Sequence, residues 1–324
     1  MGIVRFLKDW TLPVAIITGT AIYLIFAYVP ALDEAAVRLA PICKTGLPVF
    51  MFLVLFVTFC KVDFHKLRPV RWHWCVGLFQ ILFVAITVGL ILAFDMRGNN
   101  LILLEALLIS IICPCASAAP VVTMKLGGNL EEMTSYTFLS NLITATLVPV
   151  CFPLINSEAH ISFASAFFTI LKEVFLVLLL PMFFAYLVKH YMHKFHKFVT
   201  GIKDLSYYLW ACSLMIVSGT TIRNIVHADT SVTFLSVLAI FSLMLCIIQF
   251  AVGRYIGHFF GSTVNAGQAL GQKNTVFAIW AATTYLHPLS TIGPGCYILW
   301  QNTINSFEIW QKRVQDARKG VARC

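Results

Sequence analysis

Residues 267–280 read GQALGQKNTVFAIW, with Lys273 held between two amides in a run that is otherwise apolar or small. A second odd stretch, CPCASAAP at 113–120, interrupts another apolar run with prolines at 114 and 120. Proline removes a backbone donor and clashes with the preceding turn, and glycine permits non-helical backbone. Both stretches therefore predict broken helices, and what those helices sit in decides what the breaks mean.

The chain has 324 residues, 59% hydrophobic and 11% charged. A soluble domain carries about 25% charged residues. Lipid cannot satisfy backbone polar groups, so the spans of such a chain are helices or a closed barrel. The apolar runs are about 20 residues long and lack period-2 alternation, which selects helices. The reading is an all-α integral membrane protein, a single polytopic domain over 1–324, with ten transmembrane helices. They fall at about 12–30, 43–60, 74–94, 101–124, 134–154, 165–188, 205–222, 232–253, 264–286 and 289–309. No cleaved signal peptide is expected, because the first apolar run is a full span.

Charge tests the count. With the N-terminus in the cytoplasm, seventeen of the 23 Lys and Arg fall in inside segments, Arg5 and Lys8 among them. Five fall outside, and Lys273 is left over. That bias places both termini in the cytoplasm of a cell-membrane protein and accounts for the net charge of +9 without nucleic acid. Ten spans suggest five plus five, the inverted repeats of secondary transporters, in which spans 4 and 9 correspond. Those are the two broken spans, and matched breaks point to a midplane binding site. No Walker-type phosphate loop, soluble catalytic domain or nucleophile–base pair is present, so neither an ATP-driven pump nor an enzyme is expected. A channel needs a polar lining on several spans, whereas polar residues here gather at the breaks.

Four segments resemble the bile acid:sodium symporter family: LPVFMFLVLFVTFCKVDFHKLRP (47–69), CPCASAAPVVTMKLGGN (113–129), GQKN (271–274) and PGCYILWQN (294–302). The resemblance implies a panel domain (about 12–60 and 165–222) and a core domain (about 74–154 and 232–309), with broken helices 4 and 9 crossing in the core. It implies alternating access, a small organic anion, such as a bile acid or steroid conjugate or a carboxylic acid, bound between the domains, and two sodium ions behind the crossing. Its ligand-contacting positions fall on Ser117, Asn274, Gln301 and Asn302.

The sodium sites depart from the family. Ala119 and Pro120 stand where it has a Ser-Asn pair, Met133 and Thr137 where it has two hydroxyls, Ala269 at its shared glutamate, and Lys273 at a glutamine; Gln80 keeps its place. A cation site or its replacement is thus expected around Lys273, Gln80, Thr137 and Gln272. Three readings of Lys273 stand. It is a tethered substitute for the second ion, a titrating group that couples transport to protons, or a structural charge that pairs with Glu105 or snorkels to the span end. A charged lysine at a helix centre costs about 2.5–3.5 kcal/mol on insertion scales, so each reading must supply compensation.

The expected function is sodium-independent secondary transport of an organic anion, with sodium-coupled symport, metalloid efflux and a channel as alternatives. The metalloid reading comes from Cys113 and Cys115, because a related arsenite-efflux family places a functional cysteine in span 4 and thiolates bind soft metals. Against it, two small residues that simply pack explain the pair, and no metal site is expected. Glu131 and Glu132 read as a solvated helix start, His287-Pro288 as a turn, and 311–323 as a basic tail near anionic lipid. No cofactor is expected, sodium binding is in doubt, and the partners are the substrate and the bilayer around a monomer.

Overall fold

The computed structural model describes residues 10–155 and 179–318, and positions 164, 165, 168, 172 and 176 between them. The described residues form helices joined by short turns, with no strands. In chain order they are α1 (Thr11–Tyr28), α2 (Asp33–Phe59), α3 (Arg71–Ala93), α4 (Gly98–Ile112), α5 (Ala119–Lys125), α6 (Leu130–Ile155), α7 (Leu180–Tyr191), α8 (His193–Gly201), α9 (Leu205–Val226), α10 (Val232–His258), α11 (Thr263–Gly271), α12 (Thr275–Tyr285) and α13 (Ile292–Arg318). Among them α1, α3, α6, α9 and α10 are long and apolar enough to cross a membrane.

Their faces are arranged for lipid. On α10, Ile240, Phe241, Met244, Ile247 and Ile248 are exposed, whereas Gln249 is fully buried. On α3, Ile81, Leu82, Ile86 and Leu90 face outward while Gln80 and Thr87 face inward. Large apolar side chains outside and amides inside is the polarity expected of helices whose solvent is hydrocarbon.

Helix α9 packs on α1 and α2, and α2 packs on α7. Helices α3 to α6 pack on one another and on α10 to α13. One close contact joins α10 to α11: a Cβ on Gly253 would lie 2.4 Å from the Ala266 carbonyl oxygen. Glycine is required there because only a bare backbone allows that approach.

Two boundaries differ from the sequence reading. Helix α2 begins at Asp33, ten residues before the expected apolar start, because acidic Asp33 and Glu34 occupy its first turn and Glu34 pairs with Arg38 one turn on. Helix α13 continues to Arg318, so the first half of the basic tail is helix, with an i,i+4 pair between Lys312 and Asp316 at 2.9 Å. The first half of the span expected at 165–188 lies largely outside the described residues, as do Arg5, Lys8 and residues 319–324.

Both expected breaks are present. Helix α4 stops at Ile112, Cys113 is extended, and α5 starts at Ala119 with Pro120 in its first turn. Helix α11 stops at Gly271, Gln272 is extended, and Asn274 caps α12 by accepting the Phe277 N–H at 3.2 Å. The two non-helical segments meet in an antiparallel bridge between Cys115 and Lys273. Ala116 N–H donates to the Gln272 carbonyl at 2.9 Å, and Asn274 N–H donates to the Pro114 carbonyl at 2.8 Å. Each break thus supplies the partner for backbone groups freed by the other, which is how irregular backbone persists in a protein interior.

Candidate functional site

Lys273 is 1% exposed. Its Nζ donates to the carbonyls of Ile111 at 3.0 Å and Cys113 at 3.3 Å. Between them, the Ile112 carbonyl accepts from Gln80 Nε2 at 3.2 Å and Thr144 Oγ1 at 2.7 Å. Carbonyls at a helix C-terminus have no helical partner and carry partial negative charge. The end of α4 is therefore a natural seat for a cation, and the lysine ammonium occupies it.

Glu105 is engaged elsewhere. It accepts from the Ser290 hydroxyl at 2.6 Å and the His287 N–H at 3.1 Å. The expected pairing of Lys273 with Glu105 and its snorkelling are both corrected: the ammonium stays inside, on backbone oxygens. Of the other residues expected around a cation, Thr137 bonds to the Met133 carbonyl of its own helix at 2.9 Å. Gln272 borders a cavity, which Lys273 borders too.

That cavity, of about 70 Å³, lies between the bridged segments and helices α2 and α9. Ser117, Gln272, Asn274, Gln301 and Asn302 border it on one side, and Met51, Val54, Trp210, Leu214 and Val217 on the other. All four residues expected to contact substrate border it, and among the described residues no carboxylate, guanidinium or imidazole does. Gln301 also braces the bridge. Its Oε1 accepts the Lys273 N–H at 2.8 Å and its Nε2 donates to the Lys273 carbonyl at 3.2 Å. An apolar cluster continues from the cavity through Val121, Val122 and Leu126 to Tyr207, and ends at an ion pair between Lys125 and Asp204.

Sequence reasoning missed Ser140 and Thr144. Ser140 Oγ accepts the Cys115 N–H at 2.8 Å, so α6 supplies hydroxyls to both ends of the α4 break. Their one signal, hydroxyls four residues apart in an apolar helix, is too common to select them. Glu132 is less solvated than expected, because it accepts from Trp72 Nε1 at 2.8 Å at the start of α6. His287 accepts the Leu289 N–H at 3.2 Å, the turn chemistry its sequence suggested.

The model of the sodium bile acid symporter family matches residues 48–256. The chain belongs to this family. The matched range includes the break after α4 and stops before Lys273. A relative 22% identical over 286 residues, which are 84% of this chain and 85% of the relative, is the uncharacterized sodium-dependent transporter YocS of Bacillus subtilis (strain 168). Membership in a transporter family, together with apolar helices of spanning length, supports a secondary transporter in a membrane.

The Cys113 and Cys115 thiols are buried, Cys113 Sγ against the Ser110 carbonyl at 3.5 Å and Cys115 Sγ against the Ala116 carbonyl at 3.9 Å. Among the described residues no third metal-ligating side chain joins them. A serine hydroxyl can donate to the same carbonyls, so the double variant Cys113→Ser/Cys115→Ser is expected to transport within about twofold of wild type, as substitutions away from binding groups do. Uptake assays check this. Loss of transport, with arsenite resistance in cells carrying the wild type, would instead mark the thiols as ligands.

Proposed function

We propose that this protein is a secondary carrier for a small organic anion and works by alternating access without sodium. The observation that carries the proposal is the Lys273 ammonium on the Ile111 and Cys113 carbonyls, behind the bridge. The resemblance places the second sodium ion there. Ala119, Pro120 and Ala269 offer no side-chain oxygen to the first. A tethered charge holds the site together but cannot be released, so a sodium gradient has nothing to act on. Facilitated diffusion, exchange or proton coupling remain as modes of transport.

The proposed frame has ten spans in two inverted repeats. α1, α2, α7 and α9 belong to the panel, and α3 to α6 with α10 to α13 to the core. α4–α5 and α11–α12 are the two broken spans, and both termini are cytoplasmic. The cavity lies where panel meets core. At about 70 Å³ it is far below the roughly 300–1,000 Å³ of typical ligand sites, so the two walls must part to admit an organic acid. The amides and the N-terminus of α12, which opens on the cavity through Thr275 and Val276, offer an anion donors without a formal charge.

The test is uptake into proteoliposomes of whichever acid most stabilises the purified protein, with sodium replaced by choline at constant pH. Equal uptake in both salts, with counterflow that a channel cannot show, is the expected result. Uptake that collapses without sodium and returns saturably with it overturns the tethered-cation reading in favour of sodium-coupled symport.

A further inference from the structure

We infer that α8, with the turn between α2 and α3, forms a docking surface for the headgroup of an anionic phospholipid. The surface takes no residue of the cavity, so it stands apart from what the cavity holds. The chain turns at Met192, where α7 ends and α8 begins. Two bonds hold this corner to the turn after α2. His196 Nε2 donates to the Cys60 carbonyl at 2.9 Å, and Lys189 Nζ donates to the Val62 carbonyl at 3.0 Å. Val199 is buried in the cluster that includes Phe56 and Phe59, which fixes the inner face of α8.

The outer face is basic and aromatic together. Residues 60–71 and 189–204 carry eight Lys or Arg and two Asp. Both acids are already engaged, Asp63 with Lys66 at 3.6 Å and Asp204 with Lys125 of α5. Lys194 and Lys197 are exposed, and neither has an ion pair among the described residues. Three positions apart on one helix, they are neighbours on its surface. Phe195 and Phe198 directly follow them, 42% and 66% exposed, with rings stacked at 6.5 Å. Ring contacts lead from this pair back to the apolar helices: Phe195 to Phe56, Phe56 to Phe52, and Phe52 to Phe184 of α7. Phe184 is itself exposed, so the aromatic face of α8 continues the face that α7 turns to lipid.

That continuity selects the partner. An acidic protein in solution meets the lysines but leaves the phenyl rings at the membrane edge without a role. The boundary between acyl chains and headgroups meets both groups at once. The rings enter the acyl region, and the lysine stems lie along it while their ammonium groups reach the phosphates. A basic group near the membrane surface favours anionic lipid by about fivefold. A zwitterionic headgroup carries its own ammonium and gains little from two more.

The experiment uses the full chain, purified in neutral detergent and freed of lipid, with native mass spectrometry reading the affinity of the first lipid bound. Phosphatidylglycerol is compared with phosphatidylcholine of the same acyl chains. Wild type is expected to bind phosphatidylglycerol about twenty- to thirtyfold more tightly, two lysines at about fivefold each, with the preference shrinking as salt is raised. Lys194→Gln/Lys197→Gln is expected to bring the ratio to within about threefold. Lys194→Arg/Lys197→Arg keeps both charges and is expected to keep the preference. Arg97→Gln, in the turn at the other end of α3, is expected to leave it unchanged. Melting curves matching wild type establish that the exposed substitutions leave the fold intact. Equal binding of the two lipids by wild type overturns the inference. So does a preference that survives the glutamine pair, because another basic patch then holds the lipid. Displacement of phosphatidylglycerol by millimolar glycerol 1-phosphate also overturns it, in favour of a site for a soluble phosphate to which the rings contribute nothing.

Discussion

Lys273→Met is expected to abolish uptake while the protein still folds. Two effects on stability oppose each other. The carbonyls of Ile111 and Cys113 lose a donor, at about 1–3 kcal/mol for each buried group left bare. Removing a charge from the interior returns about 2.5–3.5 kcal/mol. The two nearly cancel, so the melting temperature of the purified variant is expected to move little. Transport has no such cancellation, because Lys273 is the one cationic residue, among those described, that borders a cavity proposed to hold an anion. Loss of that attraction is expected to weaken anion binding at the cavity. Methionine also cannot hold the end of α4 against the bridge as the halves move. Melting curves and proteoliposome uptake, run side by side, separate the two effects. A variant that transports normally removes Lys273 from the mechanism. Lys273→Gln alone is not expected to restore sodium dependence, since Ala269 still stands at the glutamate position. Ala269→Glu with Lys273→Gln supplies a carboxylate and an amide oxygen together, and sodium-stimulated uptake is the expected gain.

Gln301→Leu is expected to lose both stability and transport. The Lys273 carbonyl also accepts from the Thr275 N–H at 3.0 Å, so it keeps a partner when the glutamine goes. The Lys273 N–H does not, and a buried bare donor costs about 1–3 kcal/mol. That is a large fraction of the roughly 5–15 kcal/mol by which proteins are stable. Gln301→Glu separates structure from binding: it keeps an acceptor for the N–H but brings a negative charge to the cavity edge. The glutamate variant is expected to melt nearer to wild type than the leucine variant and still to bind anions poorly. If both variants melt as the wild type does, the bridge between Cys115 and Lys273 stands without Gln301.

The roles of Gln301 and Lys273 show where reading along the chain stops. Sequence position placed Gln301 near the substrate, and it does border the cavity. Its grip on the Lys273 backbone was not legible, because the two residues are 28 positions apart and no local pattern records that pairing. Lys273 was legible as an anomaly, since one lysine in an apolar run must be compensated. Its partners are carbonyls, and a carbonyl has no side-chain signature. Glu105, the compensating residue that composition suggested, serves the turn at His287 and Ser290 instead.

By itself the sequence determined that the chain is a bundle of apolar helices, that two of them break, and where they break. Those properties depend on composition and on proline and glycine, which act through their own backbone and their immediate neighbours. Its four motifs also determined the family. Tertiary structure alone decided that the two breaks pair with each other, that the ammonium rests on the end of α4, and that Gln272 borders the cavity. Each of these depends on which backbone groups a distant helix brings within about 3 Å, and on a bond direction that residue identity does not encode.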